Sequence, residues 1–153
     1  MPKTNTKAGE PQMLDFYALS QLATRLTGKK WVSVEFQRPP WKGFGGAALA
    51  NPGGEFTIYL DPSMTEVKQY HVFLHEVAHV KLHGHRMEPT TTQALQVAPE
   101  QHRPETGLKA LQLAVLEEQA DTLANKWDSQ ARRDAGMTAN IDNRLQALYL
   151  YGG

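Results

Sequence analysis

The feature that most constrains the fold is a long segment without helix breakers that carries several histidines. Residues 63–83 contain no Gly and no Pro, and their apolar side chains recur at helical spacing, which predicts a half-buried helix. The helix start is predicted either at Asp61-Pro62, with Pro in the first turn, or at a capping box formed by Ser63 and Glu66. The expected buried face comprises Val67, Tyr70, Leu74, Val77 and Ala78.

Residues 75–79 of this helix read HEVAH. His75 and His79 lie one turn apart on the same face, so two imidazoles can converge on one point. Glu76 projects beside them, about 100° round the helix axis. Imidazole suits Zn²⁺, which in hydrolases takes three protein ligands and leaves one position for water. The pattern therefore predicts Zn²⁺ held by His75 and His79, with Glu76 as the catalytic base.

A third ligand is needed, and one candidate is close in sequence. His85 lies ten positions after His75, which is the spacing of HExxHxxGxxH. That arrangement requires the chain to turn back soon after the second histidine. Leu82 stands where Gly usually makes the turn, and leucine favours continuation of the helix.

The other candidate is distant and lies in the segment LEEQADTLANKW. Glu117 and Asp121 are i and i+4 there, and the small Ala120 next to them allows another helix to approach closely. Such a pair taken alone is typical of a solvated helix face. Beside a two-histidine motif it favours Glu117 as the third metal ligand, with Asp121 accepting a hydrogen bond from the far nitrogen of a ligand histidine. Glu118 is a weaker alternative, since its spacing from Asp121 is i+3.

The rest of the sequence predicts an α+β fold in which a small antiparallel sheet packs on helices. We expect a disordered arm over 1–12 and a single domain over 13–153, with a flexible loop at 86–106. Turn signals and periodicity predict the other elements as follows: helices over 13–27, 107–128 and after Gly136, and strands over 31–36, 46–50 and 55–60 that turn at 51–54.

Composition excludes several classes of function. The 16 basic residues balance the 16 acidic ones, which argues against a direct nucleic-acid surface. Cysteine is absent, so thiolate metal sites, disulfides and a cysteine nucleophile are excluded. Neither a signal-peptide core nor a membrane-spanning run is visible. We therefore expect a cytoplasmic protein without a membrane partner.

Together, HEVAHVKLH and the later EEQADTLA resemble the ImmA/IrrE metallopeptidases over roughly residues 13 to 130. The resemblance implies a zincin-like fold and a gluzincin-like zinc endopeptidase. Its zinc ligands would be His75, His79 and Glu117, and Glu76 would be the catalytic base. It also implies a protein substrate such as a transcriptional repressor. His83 matches a histidine that often follows the motif, and the resemblance assigns it no role.

Two other functions remain open at this stage. One is a non-catalytic, zinc-containing module that binds a regulatory protein; the other is a metzincin-like protease with His85 as its third ligand. The strand FTIYL at 56–60 is a candidate edge strand for an extended peptide, although an ordinary sheet strand is the simpler interpretation. His102 is a candidate for stabilising an oxyanion, with a solvated loop histidine as the simpler interpretation.

Overall fold

A computed structural model of the chain describes residues 15–29, 31–39, 45–87 and 108–152. The arm predicted at 1–12 and nearly all of the loop predicted at 86–106 lie outside this part of the chain. The described elements, in chain order, are α1 (Phe16–Thr27), β1 (Val32–Phe36), β2 (Gly46–Ala50), β3 (Phe56–Leu60), α2 (Glu66–His83), a 3₁₀ turn (Gly84–Arg86), α3 (Leu108–Ala135) and α4 (Ile141–Tyr151).

The described sheet has three strands in the order β1-β3-β2. Strand β2 pairs antiparallel with β3, whereas β1 pairs parallel with β3. The described sheet is therefore mixed: the β2–β3 pair is antiparallel as predicted, and the β1–β3 pair is parallel, which was not predicted. The FTIYL strand is also the central strand and not an edge. A tight turn at Asn51–Gly54 joins β2 to β3 and sets the direction of this pair, whereas β1 pairs with β3 although β2 lies between them in the sequence.

Helix α1 covers the β1 side of the sheet and begins later than predicted. Asp15 caps its start, because the carboxylate accepts a hydrogen bond from the Ala18 N–H at 2.8 Å. Gly28 ends the helix in the left-handed conformation, with φ of 69°. The Lys81 ammonium on α2 then donates to the Leu26 carbonyl at 3.0 Å. A side chain of α2 thus donates to one of the carbonyl groups that have no partner within α1 at its C-terminal end.

Helix α2 begins at Glu66, and both predicted starts are wrong. Thr65 is the cap, and its hydroxyl accepts from the Lys68 N–H at 3.2 Å. The Asp61 carboxylate instead accepts hydrogen bonds from the backbone and side chain of Ser63 in the preceding turn, and they lower its pKa. Val67 is 55% exposed, so it does not belong to the predicted apolar face, which is buried from Tyr70 onward.

Helix α3 continues to Ala135, past the predicted end at Asp128, because the first breaker is Gly136, with φ of 111°. Its buried residues recur at spacings of three and four and join the core shared by the sheet and the other helices. They are Ala120, Ala124, Trp127 and Ala131.

Polar contacts at two levels show how α3 lies against α2. The buried Tyr70 donates its hydroxyl to the Asp128 carboxylate at 2.6 Å, and Arg144 of α4 lies 3.6 Å from the same carboxylate. Further along α2, His75 meets Asp121, which is earlier in α3 than Asp128. The two helices therefore run antiparallel, and the face of α2 that carries His75 and His79 lies against the first half of α3. No helix in the described part of the chain is long and apolar enough to cross a membrane.

Candidate metal centre

The two histidines of HEVAH face Glu117 across the α2–α3 interface. The His75 Nε2 atom lies 3.2 Å from Glu117 Oε1, and the His79 Nε2 atom lies 2.9 Å from Glu117 Oε2. The two Nε2 atoms are 3.2 Å apart. One ligand atom from each of the three side chains lies within 4.8 Å of the others. The structure thus brings together three groups that could hold a metal ion.

Asp121 fixes the orientation of one of these imidazoles. Its carboxylate lies 2.8 Å from His75 Nδ1, on the side of the ring away from the cluster. A carboxylate can only accept, so His75 Nδ1 carries the proton. In the neutral ring the Nε2 lone pair then points at His79 and Glu117. The hydrogen bond predicted for Asp121 is present.

Charges in the cluster shift two pKa values in opposite directions. The hydrogen bond to Glu117 raises the pKa of His75 to about 9. Burial lowers this pKa, whereas the charges of Glu76, Glu117 and Asp121 raise it further. The hydrogen bonds from His75 and His79 lower the pKa of Glu117 well below its usual range. Without a metal, the cluster is thus held by a charged imidazole and a carboxylate. The Glu117 side chain is 52% exposed, so the cluster opens to solvent.

The Glu76 side chain lies close to the start of β2. A Cβ atom added to Gly46 at the start of β2 would lie 3.5 Å from the Glu76 Cγ atom and would overlap Val72 Cγ1. Glycine at position 46 therefore allows β2 to lie directly against this part of α2. Burial raises the pKa of Glu76, and the His79 and His75 charges partly oppose that effect. A partly buried carboxyl group thus lies beside the cluster without joining it.

The alternative ligands lie elsewhere. His85 is exposed in the 3₁₀ turn after α2 and does not join the three-residue cluster found among the described residues. Glu118 is also exposed; it lines an open groove between α3 and the C-terminal end of α2 and does not join the cluster. His102 lies outside the described residues. His71, one turn before His75, is exposed, and its ring contacts Tyr70.

Two further residues meet the cluster without a role predicted from the sequence, namely His83 and Gln119. His83 is buried, with 6% of its surface exposed. Its Nδ1 atom lies 3.3 Å from His79 Nδ1, and its Nε2 atom lies 2.9 Å from Gln119 Oε1. The i+4 spacing of His83 from His79 places it on the same helix face, and this was the available signal. Nothing in the sequence points to Gln119.

No protein-family model, curated protein or solved structure matches this chain. The fold and the cluster therefore define the protein only as an α+β domain with a His-His-Glu group that could hold a metal ion.

Proposed function

We propose that this protein is a zinc-dependent endopeptidase with a zincin-like fold, which hydrolyses a peptide bond in another protein. The observation that carries the proposal is the meeting of His75, His79 and Glu117 with Glu76 left free beside them. Purely structural zinc sites close all four positions with protein ligands and need no base. Three ligands among the described residues, with a further carboxylate beside them, therefore favour an enzyme over a zinc-containing binding module.

The spacing of the donor atoms suits zinc. With zinc–ligand bonds of about 2.0–2.1 Å, tetrahedral geometry places neighbouring donor atoms about 3.3 Å apart. The two Nε2 atoms are 3.2 Å apart, and each lies 2.9–3.2 Å from a Glu117 oxygen. Two imidazoles and one carboxylate are also a ligand set found in zinc peptidases. When bound, zinc would polarise the scissile carbonyl and make water a stronger acid.

Glu76 would supply the proton transfers. Its carboxylate would take a proton from the attacking water and then give it to the leaving amine. A partly buried base with a raised pKa suits both steps, because it holds a proton more readily than an exposed glutamate does. Asp121 would keep the His75 lone pair directed at the metal throughout.

The outer edge of β2 is a suitable place for the substrate. The backbone N–H of Asp61 donates to the Gly45 carbonyl, and the backbone N–H of Asn51 donates to the Glu55 carbonyl, so the odd-numbered positions of this segment bond toward the β3 side. Antiparallel pairs alternate, so the backbone N–H and C=O groups of Gly46, Ala48 and Ala50 point away from β3. Since β2 ends the described sheet beside Glu76, an extended peptide could add to it as a further strand.

This edge can be tested with Ala48→Pro. Proline removes one outward N–H and is tolerated at the edge of a sheet. We expect the variant to keep its circular dichroism spectrum and its zinc, while the KM for peptide rises. An unchanged KM would place the substrate elsewhere.

The paired motifs resemble those of the ImmA/IrrE metallopeptidases, and on this basis we propose a regulatory protein as the substrate class, with a transcriptional repressor as one example. The meeting of His75, His79 and Glu117 supports this proposal. The spatial meeting of two motifs about 40 residues apart supports the proposal because sequence spacing alone does not require it.

Zinc content tests the metal ligands. Elemental analysis should find about one zinc per chain in the wild type and in His85→Ala, and none in Glu117→Ala, with folding checked by circular dichroism. Loss of zinc from His85→Ala would support the metzincin-like alternative. Absence of zinc from the wild type after reconstitution would contradict the proposal.

Activity tests Glu76. A library of unstructured peptides is incubated with zinc-loaded wild type or with zinc-loaded Glu76→Gln, and the products are identified by mass spectrometry. We expect cleavage by the wild type only, sensitive to 1,10-phenanthroline, because Gln cannot accept the proton. Equal cleavage by both proteins would exclude Glu76 as the base, and no cleavage by the zinc-loaded wild type would favour a binding module.

A further inference from the structure

We propose that His83 and Gln119 form a hydrogen-bond relay that sets the tautomer of His79 and thereby directs its lone pair at the metal. The proposal rests on the zinc site proposed above and assigns to His83 a positioning role. The relay runs from His79 Nδ1 to His83 Nδ1 at 3.3 Å, and from His83 Nε2 to Gln119 Oε1 at 2.9 Å.

Only one direction of donation is compatible with metal binding. His79 faces the cluster with Nε2, so that nitrogen must offer a lone pair, and the proton of the neutral ring must sit on Nδ1. His79 Nδ1 therefore donates to His83 Nδ1. His83 must then carry its proton on Nε2, which donates to the amide oxygen of Gln119.

The two metal-binding histidines are thus held by different means. Asp121 can only accept, so it fixes the tautomer of His75 without further help. His83 can donate or accept at Nδ1, so it fixes His79 only if its own Nε2 proton is held. Gln119 supplies that acceptor, and this explains why a polar residue of α3 meets a buried histidine.

Burial of His83 supports the relay. The His83 ring is 6% exposed, so few water molecules reach its nitrogen atoms, although the Gln119 side chain that holds its Nε2 proton is itself exposed on α3. A reversed relay would place a proton on His79 Nε2, where it would compete with the metal. Outer hydrogen-bond partners of metal-binding histidines change metal affinity by about 10- to 100-fold when they are removed. For the removal of His83 we expect a loss of metal affinity at the lower end of this range, because the acceptor atom of His83 is neutral and Asp121 still orients His75.

The direct test is the position of the ring protons in zinc-loaded wild-type protein. Long-range ¹H–¹⁵N correlation spectra at neutral pH distinguish a protonated nitrogen from one that bears a lone pair or a metal. We expect the proton on Nδ1 of His79 and on Nε2 of His83. A proton on Nδ1 of His83 in the zinc-loaded protein would overturn the proposal.

Three variants test the consequence for zinc binding, measured by competition with a chelator. His83→Phe keeps a buried ring without an acceptor, and we expect about a 10-fold loss of zinc affinity. His83→Asn places an amide oxygen near the original Nδ1 and should restore most of that affinity. His71→Phe, an exposed histidine of the same helix, is the control and should leave it unchanged.

The outcomes separate this inference from the proposed function. If the wild type binds one zinc and His83→Phe binds it equally well, the relay is wrong and the metal site stands. Equal loss of affinity in His83→Phe and His83→Asn would also overturn the relay, since packing alone would explain it. If the wild type binds no zinc, both proposals fail.

Discussion

Replacing Tyr70 by Phe tests the contact that holds α3 against α2. Tyr70 is fully buried, and its hydroxyl donates to the Asp128 carboxylate at 2.6 Å. Burial, together with the hydrogen bond and charge of Asp128, raises the pKa of Tyr70 far above its usual range, so the hydroxyl remains a donor at neutral pH. Phenylalanine keeps the ring and leaves almost no cavity, so the change removes little besides this hydrogen bond.

The size of the stability loss follows from the one hydrogen bond that the Asp128 carboxylate loses. A hydrogen bond to a charged group contributes about 1.5–3 kcal/mol to stability. The Asp128 side chain is 16% exposed and keeps Arg144 at 3.6 Å, so it is not left without a partner. We therefore expect the free energy of unfolding to fall by about 2 kcal/mol. For a chain of this size that corresponds to a decrease in Tm of about 4–8 °C.

Urea unfolding followed by circular dichroism measures this loss, with metal-free protein used throughout. The matched control is Tyr17→Phe, because Tyr17 is 57% exposed on α1 and its hydroxyl should contribute less than about 0.5 kcal/mol. If Tyr70→Phe were as stable as the wild type, the contact would not hold the two helices. If both variants lost the same stability, the effect would not depend on burial.

Three further predictions concern the site. Gly46→Ala should lower the free energy of unfolding by about 1–3 kcal/mol in a urea titration, because the added Cβ overlaps Val72 Cγ1. If this variant were as stable as the wild type, β2 would not lie against α2. Ala120→Leu should lower the free energy of unfolding by a similar amount and weaken zinc binding in a chelator competition, since the larger side chain enters a fully buried position between Glu117 and Asp121. An unchanged zinc affinity would contradict the close approach of the two helices. In the metal-free protein, stability from the raised His75 pKa is fully present below about pH 6.5 and is lost as the pH rises through about 9. Zinc needs the neutral ring, so the increase in Tm on adding zinc should be larger at pH 8 than at pH 6, and a constant or opposite trend would exclude His75 as a ligand.

Local patterns were enough to predict much of the secondary structure. The turn at Asn51–Gly54 and strands β2 and β3 agree with the prediction, because Gly, Pro and Asn act through backbone conformation within a few residues. The start of α2 was wrong because several side chains near it can act as caps, and sequence alone does not decide among them. The parallel β1–β3 pair was missed for another reason. Strand β1 pairs with β3, which is not the next strand along the chain, so no turn between consecutive strands could indicate the direction of this pair.

Helical periodicity is enough to place His75 and His79 on one helix face, because the 3.6-residue repeat of a helix requires it. The later Glu117 motif was favoured as their partner on sequence grounds. The meeting of Glu117 with the histidines, and the separate positions of His85 and Glu118, depend on how α3 packs along α2. The same packing places Gln119 against His83. Contacts between residues about 40 positions apart are set by the packing of buried side chains, and no local spacing encodes them.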